Sequence, residues 1–404
     1  MSQNLLITNC RLFNSLKDKE TTAILVEDDV IAKIGKIKKG PVTGAFLDAE
    51  GRIIAPGFID VHIHGAGGAD TLDGKKESLQ TISRTCARFG TTSFVATTFF
   101  RPNKDNRHLE IAAENVGCDL GGADLLGVHL EGPFISPIKR GMISPNSICT
   151  PSLQVFEEIL KNTKGSLKIM TIAPEINGSL DIIRGLVSRG IIASFGHSNA
   201  SYEETLKGIE AGISNVTHLF NAMSSIHHRA PGPLLAIFGA QGLAVQIIPD
   251  GVHLHPRVLK FAFDLLGPNR CITITDGMQA TGLPDGKYIY NGIEYESKDG
   301  TARYLSGALI GTTLGLVQQL LRLMKFTNCP LEAAIKTVTE NPAKLLKVED
   351  KKGTIAVGKD ADLVILDNDY SVWSTIVGGK IVYQKRSYNK INRINLLKGW
   401  CPSP

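Results

Sequence analysis

The chain has 404 residues, of which 43% are hydrophobic and 21% are charged, and its formal net charge at pH 7 is +5. These values are typical of a soluble globular protein, and the length suits a large domain with a smaller second unit. The small net charge disfavours a nucleic-acid-binding protein. The lysines that cluster at 33–39 and at 351–352 fit a solvated surface better than a nucleic-acid groove.

The seven cysteines are scattered and include no CxxC pair, so a disulfide framework is not expected. Residues 1–11 lack the basic segment and apolar run of a signal peptide. No stretch of about 18 apolar residues predicts a membrane span. We therefore expect a cytoplasmic protein with neither a membrane nor a nucleic acid as partner.

Short strand signals occupy both ends of the chain. At the N-terminal end, β-branched residues recur over 5–13 and 23–34, between polar turns. Near the C-terminal end, 352–366 contains two strand signals around a glycine turn, and 377–382 predicts a further strand. The two ends are expected to pair into one small β-sandwich domain, formed by residues 1–55 and 353–404.

The middle of the chain, 56–352, alternates strand-like and helix-like segments. Amphipathic stretches predict helices, among them 79–89, 153–162, 180–188, 202–211 and 256–266. Eight apolar runs predict strands at 59–64, 93–98, 125–131, 167–174, 191–197, 215–218, 244–248 and 271–276. This alternation is typical of an α/β fold with a parallel (β/α)8 TIM-like barrel, in which active groups lie at the carboxyl ends of the strands. The glycine-rich, polar segment 278–305 predicts a hairpin insertion over the site.

Histidines and acids occupy several of these strand ends. His62 and His64 are two residues apart, so both imidazoles point to one face and could bind one divalent ion. Glu131 also ends a strand, where a carboxylate could bridge two metals or simply close a turn. His197 and His218 each close an apolar run, a position where a single histidine is often only structural.

Asp276 ends the β-branched run 271–275 and is the second acid at such a position. A carboxylate beside a metal ion can take a proton from the attacking water and later donate it to a leaving group. An Asx turn before Gly277 would explain the same residue without chemistry. Four histidines and two acids at equivalent strand ends together favour a metal-dependent hydrolase.

The motifs that contain these residues resemble a known family. Residues 56–64 resemble the opening metal motif of the amidohydrolase superfamily, and 358–366 resemble its closing β-domain motif. Further segments are similar to motifs of the N-acetylglucosamine-6-phosphate deacetylase family, in that family's order: 129–134, 196–200, 217–223, 250–253 and 275–277. The resemblance covers nearly the whole chain. It implies a cytoplasmic hydrolase of amino-sugar catabolism that converts N-acetylglucosamine 6-phosphate to glucosamine 6-phosphate and acetate.

The resemblance also implies roles for individual residues. Glu131, His197 and His218 would bind the main divalent metal, and Asp276 would act as general base and acid. Zinc is the first candidate, with iron, cobalt or manganese as alternatives, and the retained first histidine pair allows one or two ions per subunit. The implied substrate-binding residues are Met142, Ile143, Asn221, Ala222, Arg229, His253, Leu305, Ser306 and Gly307.

Arg229 is the implied phosphate partner, since a guanidinium forks onto phosphate oxygens. In the family this arginine reaches the neighbouring subunit's site, which implies a homodimer. The adjacent His227 and His228 could contact phosphate or be plain loop residues.

One departure from the family pattern concerns Ile143, which occupies the place of a histidine that helps polarise the acetamide carbonyl. An isoleucine cannot donate a hydrogen bond, and losing one such donor costs roughly a hundredfold in rate. A second metal could take over that role, the substrate could differ, or activity could be weak. One alternative is therefore deacetylation of another N-acyl sugar phosphate, such as N-acetylgalactosamine 6-phosphate, or hydrolysis of a different amide. The other is a metal-free, catalytically inactive interaction protein.

Overall fold

The computed structural model of the protein describes residues 4–16, 21–37 and 44–385. Parts of the expected terminal domain, including 386–404, lie outside these ranges. The first five strands are β1 (Leu5–Leu12), β2 (Thr22–Glu27), β3 (Val30–Gly35), β4 (Ala45–Asp48) and β5 (Ile53–Pro56). Strand β1 is their centre, because it pairs antiparallel with β2 and parallel with β4 and β5.

An eight-stranded parallel sheet forms the middle of the fold. Its first strand, β6 (Phe58–Ile63), is followed by a short pair, β7 (Gly65–Ala66) and β8 (Ala69–Asp70). Strands that follow one another along the chain are neighbours in the sheet, and all eight predicted strands are present. The other seven are β9 (Thr91–Thr98), β10 (Asp124–Glu131), β11 (Leu167–Ile172), β12 (Ile192–Phe195), β13 (Asn215–Val216), β14 (Ala244–Ile247) and β15 (Cys271–Thr273).

Backbone hydrogen bonds close this sheet into a barrel. The N–H of Asp276, which follows β15, donates to the carbonyl of His62 at 3.0 Å, and the N–H of His64 donates to the carbonyl of Gly277 at 2.9 Å. Every residue of β6 and β9 is buried. That is expected of parallel strands whose inner face fills a barrel and whose outer face is covered by helices.

Helices surround the barrel, and two of them begin at a serine whose side chain caps the helix. The helix that starts at Leu153 follows Ser152, whose hydroxyl accepts a hydrogen bond from the N–H of Val155. The helix that starts at Tyr202 has a reciprocal cap between Ser201 and Glu204. All five predicted helices are present, and the largest shift of an end is three residues (79 predicted, 76 observed). The helices are α1 (Lys76–Arg88), α2 (Arg107–Glu114), α3 (Leu153–Thr163), α4 (Ser179–Ser188), α5 (Tyr202–Glu210), α6 (Gly232–Gly239), α7 (Pro256–Leu266), α8 (Leu316–Thr327), α9 (Leu331–Val338) and α10 (Glu340–Leu345).

A four-stranded antiparallel sheet stands where the hairpin insertion is predicted. Its strands are β16 (Gly286–Tyr290), β17 (Ile293–Lys298), β18 (Thr301–Tyr304) and β19 (Leu309–Thr312). Tyr295 and Ile310 of this sheet pack in an apolar cluster that includes Ile143. The N–H of Thr312 donates to the carbonyl of Asp276 at 2.8 Å, which attaches β19 to the end of the barrel where Asp276 lies.

The last strands join the two ends of the chain. They are β20 (Leu363–Leu366), β21 (Val372–Val377) and β22 (Lys380–Gln384). Strand β20 pairs antiparallel with β5, which gives the order β22-β21-β20-β5-β1-β2-β3, with β4 beside β1. Ile7, Ile24, Leu363 and Trp373 share its buried core. The predicted α/β fold, a TIM-like barrel with a small β-sandwich from the chain ends, is confirmed.

Among the helices of the described residues, none has the length and apolar character needed to span a membrane.

Candidate active site

The predicted metal ligands come from four strands and meet at the carboxyl end of the barrel. Oε1 of Glu131 lies 3.0 Å from Nε2 of His197 and 2.9 Å from Nε2 of His218. The same oxygen lies 3.8 Å from Nε2 of His62, and Oε2 lies 3.4 Å from Nε2 of His64. Glu131 therefore stands between two histidine pairs that are far apart in the chain.

The possible ligand atoms form two groups, and within each group they lie within 4.8 Å of one another. The Nε2 atoms of His62 and His64 are 3.3 Å apart, and those of His197 and His218 are 3.1 Å apart. Two imidazole nitrogens this close need a proton or a cation between them. Imidazole and carboxylate are the ligands that zinc, iron and manganese bind, so the residues fit a metal. The groups are Glu131, His197 and His218, and His62, His64 and Asp276, all buried.

The electrostatics of the site favour positive charge among these residues. Burial raises the pKa of Glu131, but the neighbouring imidazoles, His197 first, outweigh burial and hold that pKa well below its ordinary value. Burial lowers the pKa of His64 and His218, yet the hydrogen bonds to Glu131 raise both above their ordinary value. At His62, burial prevails and lowers the pKa. A divalent cation would satisfy the same attraction.

Neighbouring groups orient two of the histidines. Nδ1 of His62 lies 3.2 Å from Oε1 of Gln246 in β14, and Nδ1 of His197 lies 2.9 Å from the carbonyl oxygen of Lys139. These contacts place the ring proton on Nδ1 and leave Nε2 free to bind a metal. Nδ1 of His64 and of His218 is buried and has no hydrogen-bond partner among the described residues.

Asp276 faces the first histidine pair. Its Oδ1 lies 3.4 Å from Nε2 of His62 and 3.5 Å from Nε2 of His64, and its Oδ2 lies 3.9 Å from Nε2 of His253. Burial raises the pKa of the Asp276 carboxyl, against the opposing effect of His64 and other imidazoles. A buried carboxylate of this kind can accept a proton and return it.

Three of these residues have a left-handed backbone conformation. The φ angles are 48° at His197, 30° at His218 and 47° at Asp276. Such a conformation costs about 1–3 kcal/mol at a non-glycine residue and persists only where the surrounding structure holds it. The strain therefore coincides with the place where the candidate ligand side chains converge.

A cavity of about 230 Å³ opens beside these groups. Four of the predicted substrate-binding residues line it, namely Met142, Asn221, Ala222 and His253. Glu131, His197, His218 and Asp276 form its polar side, and Gly141, Leu309 and Ile310 complete the lining. The cavity thus joins the proposed ligands of one metal to the proposed base.

The other predicted substrate-binding residues lie outside that lining. Arg229 is exposed, in the loop between β13 and α6. Leu305, Ser306 and Gly307 are exposed at the turn between β18 and β19. Ile143 is buried in the apolar cluster below the four-stranded sheet.

Sequence reasoning missed three polar residues that contact the site. Gln246 bonds to His62, Asp60 accepts a hydrogen bond from the N–H of His62 at 3.2 Å, and Asp250 contacts Nδ1 of His253 at 2.6 Å. Each is a polar residue within or just after an apolar run. A buried polar side chain needs a partner, so that pattern is a usable signal.

The family model described as "Amidohydrolase family" matches residues 53–382. This chain is an amidohydrolase. The family is metal-dependent, and the two groups of residues described above could hold its metal. A curated relative of this amidohydrolase, N-acetylglucosamine-6-phosphate deacetylase of Bacillus subtilis (strain 168), is 36% identical over 97% of the chain and 100% of that protein. The predicted resemblance to these deacetylases, and with it the prediction of a hydrolase, is confirmed.

Two further comparisons concern the substrate. N-acetylgalactosamine-6-phosphate deacetylase of Escherichia coli O157:H7 is 31% identical to this amidohydrolase, over 88% of the chain and 93% of that protein. A solved structure of a variant N-acetyl-D-glucosamine-6-phosphate deacetylase from Mycobacterium smegmatis, in complex with N-acetyl-D-glucosamine-6-phosphate, has a TM-score of 0.83 and 29% identity. That comparison covers 94% of this chain and 99% of the other.

Proposed function

We propose that this amidohydrolase removes the acetyl group from N-acetylglucosamine 6-phosphate, giving glucosamine 6-phosphate and acetate. The proposal is carried by the convergence of two histidine pairs, Glu131 and Asp276. One of these pairs, His197 and His218, lines a cavity together with Glu131 and Asp276. The substrate is supported by the relatives that bear this activity in their names over nearly the whole chain. It is also supported by the similar Mycobacterium smegmatis protein that binds this sugar phosphate.

Glu131, His197 and His218 would hold the main divalent ion, and the pair His62 and His64 would hold a second ion where two are bound. Zinc is the first candidate, and iron, cobalt and manganese suit the same ligands. A divalent ion bound there would lower the pKa of a water molecule and polarise the acyl oxygen.

Asp276 accepts a proton from the attacking water, whose oxygen forms a bond to the acyl carbon. The carboxyl then gives that proton to the amide nitrogen, the C–N bond breaks, and acetate and the free amine remain. His253 presents Nε2 to the cavity, because its Nδ1 is held by Asp250 at 2.6 Å. It would accept a hydrogen bond from the sugar, and Met142, Asn221 and Ala222 would line the rest of the substrate site.

For the phosphate we propose Arg229 of a neighbouring subunit in a homodimer. Arg229 is exposed and does not line the cavity of its own subunit, which supports an intersubunit role, since an exposed guanidinium can reach another site. His227 and His228 lie beside it, with ring centroids 4.3 Å apart. Leu305, Ser306 and Gly307 would contact the substrate only after movement of their turn or across the same interface.

A second candidate is the deacetylation of N-acetylgalactosamine 6-phosphate. The Escherichia coli relative with that name and the apolar residue Ile143 favour it. An isoleucine side chain has no hydrogen-bond donor to offer a carbonyl, and Ile143 is only 1% exposed among apolar neighbours. In the first candidate, a second metal beside His62 and His64 would take over that polarising role.

The test is a hydrolysis assay with zinc, iron or manganese supplied, on N-acetylglucosamine 6-phosphate, its galacto epimer and unphosphorylated N-acetylglucosamine. We expect the gluco phosphate to turn over fastest and the unphosphorylated sugar slowest. Faster turnover of the galacto epimer would establish the second candidate instead. If the purified protein bound no divalent metal and hydrolysed none of the three sugars, the enzyme proposal would fail. The remaining alternative would then be a catalytically inactive interaction protein.

We propose that the protein is located in the cytoplasm. The six cysteines among the described residues are free thiols, which is the state that a reducing compartment maintains.

A further inference from the structure

The turn that carries His197 is tied to a carboxylate outside the proposed chemistry. Glu175 lies in the loop after β11. Its Oε2 accepts a hydrogen bond from the hydroxyl of Ser198 at 2.7 Å, and its Oε1 accepts one from the N–H of Asn199 at 2.6 Å. Ser198 and Asn199 are the two residues that follow His197. The Glu175 carboxylate therefore uses both of its oxygens to hold the turn directly after this proposed metal ligand.

This contact acts where the backbone is strained. His197 has a φ of 48°, a conformation that the surrounding structure must maintain. The Ser198 hydroxyl also accepts a hydrogen bond from the N–H of Ala200 at 3.1 Å, and the carbonyl of His197 accepts one from the N–H of Ser136 at 2.9 Å. Without the carboxylate, the turn after His197 would lose its charged partner.

The Ser198–Asn199 turn is also hydrogen-bonded to the loop that follows His218, the second histidine of this ligand group. The N–H of Ser198 donates to the carbonyl of Ala222 at 3.1 Å, and the hydroxyl of Ser224 donates to Oδ1 of Asn199 at 3.0 Å. Ala222 and Ser224 follow His218 by four and six residues. The position of the Ser198–Asn199 turn therefore bears on both histidines of one ligand group.

We propose that Glu175 is a positioning residue for the metal site. It holds the His197 turn, and through it the His218 loop, in the geometry that brings the two Nε2 atoms within 3.1 Å. The inference rests on the proposed binding of a metal by Glu131, His197 and His218. Removing the carboxylate lets the turn relax its strained conformation, which separates the ligand atoms before any metal binds.

Two measurements, zinc affinity and the stability of the metal-free protein, distinguish a Glu175 that positions the metal ligands from one that only stabilises its loop. The test measures the apparent Kd for zinc by competition with a chromophoric chelator, and the Tm of the metal-free protein. Glu175→Ala is expected to weaken zinc binding by about 10–100-fold, the range found when groups that orient metal ligands are removed. Glu175→Gln keeps one acceptor oxygen and is expected to lose less, which provides a milder variant should Glu175→Ala fold poorly.

Glu204→Ala is the matched control. Oε2 of Glu204 accepts a hydrogen bond from the N–H of Ser201 at 2.8 Å, so it also supports this loop, but four residues away from His197. This variant should lower the Tm of the metal-free protein and leave the zinc Kd unchanged. If Glu175→Ala kept wild-type zinc affinity, or if Glu204→Ala weakened zinc binding equally, the positioning role of Glu175 would be wrong. The proposed function would not be affected. Wild-type protein that binds no divalent ion overturns the proposed function, and this inference with it.

Discussion

The hydroxyl of Thr275 donates a 2.6 Å hydrogen bond to Oδ2 of Asp60, at the junction where the barrel closes. Oδ1 of Asp60 accepts a hydrogen bond from the N–H of His62 at 3.2 Å. The Thr275 hydroxyl also accepts one from the N–H of Gly277 at 3.1 Å. One buried carboxylate therefore aligns the strand of the first histidine pair with the segment that carries Asp276.

Thr275→Val keeps the shape of this residue but leaves Asp60 without its hydroxyl partner. We expect the free energy of unfolding to fall by about 1–3 kcal/mol, the cost of an unsatisfied buried group. We also expect kcat to fall, because Asp276 follows directly. Urea unfolding and steady-state kinetics measure the two effects. Thr163→Val is the control, since that hydroxyl bonds to the carbonyl of Ile159 within α3. If both variants kept wild-type kcat, the proposed role of the Thr275–Asp60 contact in aligning Asp276 would be wrong.

Asp276→Asn removes the proposed base and acid without changing the size of the side chain. Deacetylation should fall by about 10²–10⁴-fold, the contribution usual for a positioned proton-transfer group. Metal held by Glu131, His197 and His218 should remain. Metal analysis beside the hydrolysis assay checks both statements. Retained activity would exclude Asp276 from the catalytic role.

Arg229→Ala should raise the KM for the sugar phosphate and change kcat little, because the guanidinium is proposed to bind the phosphate of the neighbouring subunit's substrate. The KM for the unphosphorylated sugar should not change. Arg184→Ala is the control, since Arg184 is also exposed and pairs with Asp181 at 2.9 Å on α4. An unchanged KM in Arg229→Ala would move the phosphate site elsewhere.

Asp250→Asn addresses the orientation of His253. Oδ2 of Asp250 holds Nδ1 of His253 at 2.6 Å, and Oδ1 accepts the N–H of His253 at 2.8 Å. An amide can turn an N–H towards Nδ1 and so place the ring proton on Nε2, which faces the cavity. We expect kcat/KM to fall roughly tenfold, the effect of one lost hydrogen bond. Asp264→Asn is the control, since Asp264 pairs with Lys260 at 2.8 Å on the surface of α7, and it should leave kcat/KM unchanged. An unchanged kcat/KM in Asp250→Asn would refute the role of Asp250 in orienting His253.

Lys352 forms an ion cluster between the barrel and the terminal sheet. Its Nζ lies 2.5 Å from Asp362, 3.1 Å from Asp360 and 3.5 Å from Asp124. The side chains of Lys352 and Asp362 are 10% and 6% exposed, so they are a buried pair. Lys352→Met should lower the free energy of unfolding by about 3 kcal/mol at pH 8, because it leaves a buried charge without its partner.

This loss should depend on pH. Burial raises the pKa of Asp124 to about 6, and it raises that of Asp362 above its ordinary value. Without the ammonium both values rise further, so the folded variant binds more protons than the unfolded chain above about pH 4. Its stability therefore decreases as the pH rises through these pKa values, and the deficit should be smaller at pH 5 than at pH 8.

Urea unfolding at both pH values measures the deficit, and Lys380→Met is the control. Lys380 and Asp119 are an exposed pair at 3.1 Å, so that loss should stay within about 1 kcal/mol. A deficit in Lys352→Met that is equal or larger at pH 5 would contradict the prediction.

Much of the fold was predictable because its signals are local. The apolar runs of the eight barrel strands and the amphipathic spacing of five helices lie within short segments, and the structure has all of them. The segment 278–305 was harder to predict, since its turns suggested one hairpin where the structure has four strands up to Thr312. The boundaries of the terminal domain at 55 and 353 stay a prediction.

The candidate site also has a part that the sequence predicts and a part that only the tertiary structure shows. By itself, the sequence determined which histidines and acids are candidate ligands and placed them at strand ends, because strand, turn and candidate ligand are adjacent in the chain. Only the tertiary structure decided which side chains meet. Barrel closure brings Asp60 to Thr275, 215 residues apart, and folding brings Glu175 to Ser198. Ile143 is buried in an apolar cluster and does not line the cavity, because Tyr295 and Ile310 of the four-stranded sheet, which are distant in the chain, pack in the same cluster.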